Sequence, residues 1–312
     1  MQRWTRWLAC WGLALITATG VAAQATTPEA TAEAQPAVLF DDFNYTSAQE
    51  FEQNGWIVRT ADGWPGVPGA KWGKESASFT DDPDVQGNRL LQLTAWTDGK
   101  ETHQAQVCKE RKFYEGTYAT RVHFSDKPAS GPGGDHLVET FYMISPLEFD
   151  LDPNYSELDF EYLPNGGWGT SGHNLFATTW ETFRPEPNWL ADNTSTQQTG
   201  SLNGWHTLVL QVMDGEVHYF LDGEAIATHG GKYYPEVPMS LNYNLWFIAD
   251  GVLPFDARRE YAEQIDWTYF AADTALTPDE VDAQVKQFRQ SSTAYQDTVP
   301  SLDPSLTSPC NF

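Results

Sequence analysis

Between His206 and His229 the chain alternates apolar and polar residues and is cut twice by Asp-Gly. Leu208, Leu210 and Val212 share one face of an extended segment, with Thr207 and Gln211 on the other. Asp214-Gly215 and Asp222-Gly223 suit two-residue hairpin turns, which need positive φ at both central positions. The pattern predicts a meander of three antiparallel strands over 206–213, 216–221 and 224–228. Similar short segments run from Val38 to about Phe270, punctuated by Asp62-Gly63, Asp98-Gly99, Gly131 to Gly134, Asn165-Gly166-Gly167 and Gly230-Gly231. Many strands without αβ alternation define an all-β sandwich or jelly roll. No internal repeat interrupts it.

One helix stands out. Thr277-Pro278-Asp279-Glu280 is a capping box with proline at the first helical position, and Val281, Val285 and Phe288 follow at helical spacing. The helix should pack on the outside of the sandwich. Residues 291–312, polar and proline-containing, read as a loose tail.

The N-terminus reads as a leader. Arg3 and Arg6 precede the apolar run 7–19, which is short for a bilayer span, and small residues follow. Residues 1–25 are therefore expected to be a signal peptide and 26–37 a disordered linker. The jelly-roll domain is expected over 38–272 and the helix with its tail over 273–312. The mature protein would be secreted, off the membrane and monomeric. Loss of Cys10 with the leader leaves Cys108 and Cys310, free to pair in an oxidising compartment.

The 312 residues carry a formal charge of −25. Such a field repels nucleic acid, anionic lipid and acidic polymers, so a neutral partner is expected. The mature chain keeps ten tryptophans. Most should fill the core, and the remainder could offer flat faces to sugar rings.

Residues 155–163, Tyr-Ser-Glu-Leu-Asp-Phe-Glu-Tyr-Leu, alternate cleanly. Leu158, Phe160 and Tyr162 point one way; Tyr155, Glu157, Asp159 and Glu161 point the other. Neighbouring carboxylates on one face lie about 6.6 Å apart along the strand. Ionising all three in a cleft is costly, so at least one should hold a proton near neutral pH. An acid/base pair needs such a proton. Solvated acids on an edge strand, or calcium ligands, fit the strand taken alone, although calcium loops mix residue types in a turn.

The run Glu157-Leu158-Asp159-Phe160-Glu161 resembles the E-x-D-x-E signature of glycoside hydrolase family 16. Further segments resemble that family in the same order: Gly87 to Leu93, Phe113 to Arg121, Trp205 to Leu208, Tyr219 to Gly223, Met239 to Trp246 and Ile265 to Phe270. Two positions depart from it, Glu115 and Ala119, the latter replacing an acid. The resemblance implies a concanavalin A-like jelly roll of two curved antiparallel sheets with a cleft. It implies a retaining hydrolase using double displacement, with Glu157 as nucleophile, Glu161 as acid and then base, and Asp159 tuning both. The unbulged strand points to β-glucans of the lichenan or xyloglucan type, cut internally. Tyr142, Tyr155, Trp180, Asn244 and Trp246 match sugar-contacting positions, while His206 reads as a packing residue. No cofactor is required. Some members hold a structural calcium, to which Asp266 could contribute, but nothing else in the sequence indicates one. A lectin-like binder or a transglycosylase would share this framework. Loops 127–135 and 184–204 are the candidates for narrowing an open cleft.

Overall fold

The structure is a computed structural model that describes residues 36–185, 187–306 and 310. The leader and all but the last two residues of the linker lie outside the described residues.

Two antiparallel sheets form the sandwich. The first runs in the order Ile57–Val58, Thr102–Cys108, Ser240–Phe247, Leu137–Ile144, Glu157–Leu163, Asn174–Arg184, Leu190–Thr199. The second runs Ala77–Asp81, Arg89–Thr97, Arg259–Ala272, Gly116–Phe124, Gly204–Met213, Glu216–Leu221, Glu224–Gly230. The meander read from the sequence is the edge of this second sheet. Its turns take the conformation their residues demand, with Asp214 and Gly215 at φ +54° and +81°, and Asp222 and Gly223 at +50° and +85°.

The core lies between the sheets. Leu158, Phe160 and Tyr162 of the first sheet meet the same cluster as Tyr118, Leu208, Leu210 and Val212 of the second. The alternation of the acidic strand therefore sends its acids to the opposite face.

The helix Pro278–Gln290 carries the expected capping box. Val281 and Val285 are buried against Phe40, Val209, Trp267 and Tyr269 on the outer face of the second sheet. Phe288 stacks on Phe40 with ring centroids 4.5 Å apart. Ala119 belongs to the same cluster and is fully buried. The covering helix explains the small residue there, because an acid would sit unpaired in an apolar layer.

The loose-tail reading needs correcting. Tyr295–Asp297 pairs with Val38–Asp41 and adds a strand to the second sheet. Lys112 donates to both oxygens of Asp297 at 3.0 Å. These partners lie far away in sequence, so local composition gave no sign of them. Further on, Cys310 is bonded to Cys108 with Cα atoms 5.9 Å apart, inside the usual range for a disulfide. The bond closes a sequence separation of 202 residues. Replacing both cysteines by serine should lower stability by about 2–4 kcal/mol, chiefly through the freed unfolded chain. Urea unfolding of the two proteins under oxidising conditions measures this, and intact mass with and without reductant checks the bond.

Candidate active site

Glu157, Asp159 and Glu161 project from the strand Glu157–Leu163 into a cleft on the outer face of the first sheet. The strand pairs on both sides without a register shift, so the two-residue period is unbroken across the acids. Its neighbours are fixed by register. Trp180, Thr178 and Phe176 lie beside Glu157, Asp159 and Glu161 on one flank, and Ile144, Tyr142 and Thr140 on the other.

Each acid has a distinct setting. The Tyr155 hydroxyl donates to Glu157 Oε2. Asp159 also hydrogen-bonds Glu157. Trp180 Nε1 donates to Asp159 Oδ2 at 2.9 Å. Glu161 has no hydrogen-bond partner among the described residues.

Burial raises the pKa of all three. Glu157 is pushed up to about 7 by burial, against the hydrogen bonds from Tyr155 and Asp159 that favour its charged form. Glu161 is pushed up to about 8 by burial and then by the charge of Glu157. Asp159 is raised too: burial, then the charges of Glu157 and Glu161, hold it well above the carboxylate range. Their shared hydrogen bond raises Asp159 and lowers Glu157, so it favours the proton on Asp159. Glu157 and Glu161 keep part of their surface against the cleft, so water screens their mutual repulsion in part.

The other sequence-predicted residues fall in two groups. Tyr142, Asn244 and Trp246 line the cleft floor, and Trp180 lines its wall. Gln106 Nε2 donates to the Tyr142 hydroxyl at 2.8 Å, and Asn244 Nδ2 at 3.3 Å. Thr140 donates to Asn244 Oδ1 at 2.5 Å. Tyr155 behaves differently from the sugar platform expected of it. Only 1% exposed, it meets Phe183 edge-on with centroids 5.2 Å apart and offers no open face. Its contribution is the hydrogen bond to Glu157.

Sequence reasoning missed Trp64, Trp168 and Trp189, which are 57%, 47% and 51% exposed and line the cleft. Trp64 and Trp189 have centroids 6.4 Å apart, and both approach Phe183. Trp168 lies 5.6 Å from Phe176 and 6.2 Å from Trp246. A signal was present. Gly63-Trp64-Pro65-Gly66, Gly167-Trp168-Gly169 and Pro187-Asn188-Trp189 set tryptophan among turn formers, where no strand can carry the ring into a core. By contrast Trp56, Trp72 and Trp267 are core residues. The aromatic-lined cleft encloses about 580 Å³, a size suited to a ligand of several rings.

Asp266 does not fit a calcium site. One carboxylate oxygen accepts from Asn88 at 2.8 Å and Arg289 at 2.6 Å, the other from Arg121 at 2.8 Å. Two guanidinium groups already supply the positive charge a cation would bring. Among the described residues, no group of three His, Cys, Asp or Glu side chains is arranged to hold a metal ion.

No family model and no curated protein matches the sequence. Solved structures match the fold. A Bacillus licheniformis beta-glucanase aligns over 75% of this chain and 98% of its own, at 16% identity and a TM-score of 0.51. A family 16 endo-glucanase from Bacteroides ovatus, in complex with G4G3G-2F-DNP, aligns over 73% and 98%, at 16% identity and a TM-score of 0.56. The laminarinase from Flavobacterium sp. UMI-01 aligns over 75% and 99%, at 16% identity and a TM-score of 0.54. The chain therefore has the jelly-roll fold of glycoside hydrolase family 16 enzymes.

Tyr155→Phe should raise the Glu157 titration midpoint, because the lost hydrogen bond favoured the carboxylate. Carboxyl-carbon NMR titration reads it directly, and an unchanged or lowered midpoint would contradict the assignment.

Proposed function

We propose that the protein is a secreted, monomeric, retaining glycoside hydrolase acting on a neutral β-glucan. The observation that carries this reading is the row of three differently held acids on the floor of an aromatic-lined cleft. Burying three carboxylates costs free energy, and a protein that only bound sugar would gain nothing from keeping them. The fold shared with family 16 hydrolases supports the reading, as does a charge of −25, which disfavours an acidic polymer.

The chemistry follows from the settings of the acids. Ionised Glu157 attacks the anomeric carbon while the bond from that carbon to the glycosidic oxygen breaks. Protonated Glu161 gives its proton to the departing oxygen. The sugar is then held as an ester of Glu157. Glu161, now ionised, takes a proton from water as the water oxygen attacks the same carbon, and the Glu157 carboxylate is released. Two inversions leave the β configuration unchanged. The protonated Asp159 and the Tyr155 hydroxyl both donate to Glu157, stabilising it as a carboxylate at the start and as leaving group at the end. Asp159 is itself oriented by Trp180. No step needs a cofactor. Aromatic faces from Trp168 and Trp189 would carry the sugar rings, because C–H faces of a pyranose pack on such surfaces.

Turnover needs Glu157 ionised and Glu161 protonated. The kcat/KM profile should therefore be a bell, rising with pH towards about 7 and falling above about 8, with apparent values belonging to the coupled set. A rising limb at an ordinary glutamate value would contradict the raised Glu157. Glu157→Gln should keep the fold and sugar binding while losing on the order of 10⁴-fold or more in kcat. Assay on lichenan, laminarin and xyloglucan, with NMR of the first-formed anomer, tests both parts. Full activity in the variant, or an α anomer formed first, would remove the mechanism.

A further inference from the structure

The two sides of the acidic strand are unequal. Over Asn174–Arg184 and Leu190–Thr199, and on to Trp246, Ile248 and Asp250 with Trp64 and Gly66 at its border, the cleft has a volume of about 580 Å³. Over Leu137–Ile144, Ser240–Phe247 and Thr102–Cys108 only about 50 Å³ remains. That space holds a handful of waters and lies far below the roughly 300–1,000 Å³ of ordinary ligand pockets.

The obstruction is one segment, residues 59–67, which contributes Arg59, Trp64 and Pro65 to the small cavity. It is bound to the floor at several points. The Arg59 backbone N–H donates to the Gln106 carbonyl at 3.0 Å, and its Nη1 donates to Gln106 Oε1 at 3.0 Å. Arg59 Nε and Nη2 donate to the carbonyls of Ala61 and Trp64 at 2.9 and 3.0 Å. Gln104 Nε2 donates to the Pro65 carbonyl at 3.0 Å, while its Oε1 accepts from the backbone N–H of Val67 and of Phe247, each at 3.2 Å. A Cβ on Gly66 would meet the Gln104 side chain at 2.1 Å, which shows how closely the segment lies. Arg59 is only 1% exposed, with its guanidinium 3.9 Å from the centroid of the Trp72 ring. Arg59 is thus a positioning residue, and the segment is a fixed strap.

Resting on the glycosidase reading, we infer that the strap makes the cleft one-sided. A β-glucan chain extends along the aromatic side, and the strap stops it just beyond the acids. The enzyme then releases short fragments of fixed size from chain ends, in place of random internal cuts.

The test follows early hydrolysis of mixed-linkage β-1,3-1,4-glucan and of laminarin by product chromatography and by viscosity against reducing ends. One or two short products should dominate from the first minutes, with viscosity falling several-fold less per bond cut than under random cleavage. Removing Trp64-Pro65-Gly66 should convert this into a ladder of lengths. Trp64→Ala, which deletes an exposed ring without opening the core, should lengthen the products in the same direction. A ladder from the unaltered enzyme would overturn the inference and leave the glycosidase reading standing. So would an unchanged product pattern in a variant that keeps the native near-ultraviolet circular dichroism. If neither polymer nor any other neutral β-glucan is cleaved, the glycosidase reading fails and the inference fails with it.

Discussion

Everything in the site depends on the two-residue period of one strand. Leu158, Phe160 and Tyr162 are completely buried between the sheets. Their burial contributes about 5–9 kcal/mol at the usual value per large apolar side chain. A slip of one residue would exchange that for three carboxylates in the core, so the register is strongly held. The acids are placed on the cleft floor because their neighbours must face the core. Stability of the sandwich and geometry of the site are one constraint seen from two faces.

The same strand sets the electrostatics. Carboxylates two residues apart on one face cannot all ionise cheaply, and the cleft adds desolvation. The surrounding groups then differentiate them. Tyr155 and Asp159 favour charge on Glu157, Trp180 orients Asp159, and Glu161 is left facing the cleft. A base, an acid and a tuning group follow from three similar side chains, because hydrogen bonds reach them unequally. The strap 59–67 acts on a different property. It leaves the acids alone and limits where a chain can lie.

Much of this was legible in the sequence, for physical reasons. Alternation and Asp-Gly turns are local, so the meander and the acidic strand could be read residue by residue. The capping box at Thr277 is local as well. What escaped depends on distant partners. Tyr155 shares the acidic face by alternation, yet Phe183 covers its ring, and that contact spans 28 positions of sequence between the two named residues. The tail strand at Tyr295 pairs with the first strand of the domain. Glu139 and Glu263 are both buried, and burial raises each well above the carboxylate range. No local pattern marks such a residue, because its setting is made by the opposite sheet.

The central claim is that Glu157 forms a covalent bond to the sugar. It is tested most directly by trapping that intermediate. A 2-deoxy-2-fluoro-β-glucoside or β-oligoglucoside with a dinitrophenolate leaving group should glycosylate the nucleophile, expelling dinitrophenolate, and the adduct should then hydrolyse slowly, because fluorine destabilises both transition states. Proteolysis and tandem mass spectrometry should find one fluorosugar on the peptide holding residues 155–163, localised to Glu157. A label on Glu161, or none while the protein turns over β-glucan to an α product, would contradict it.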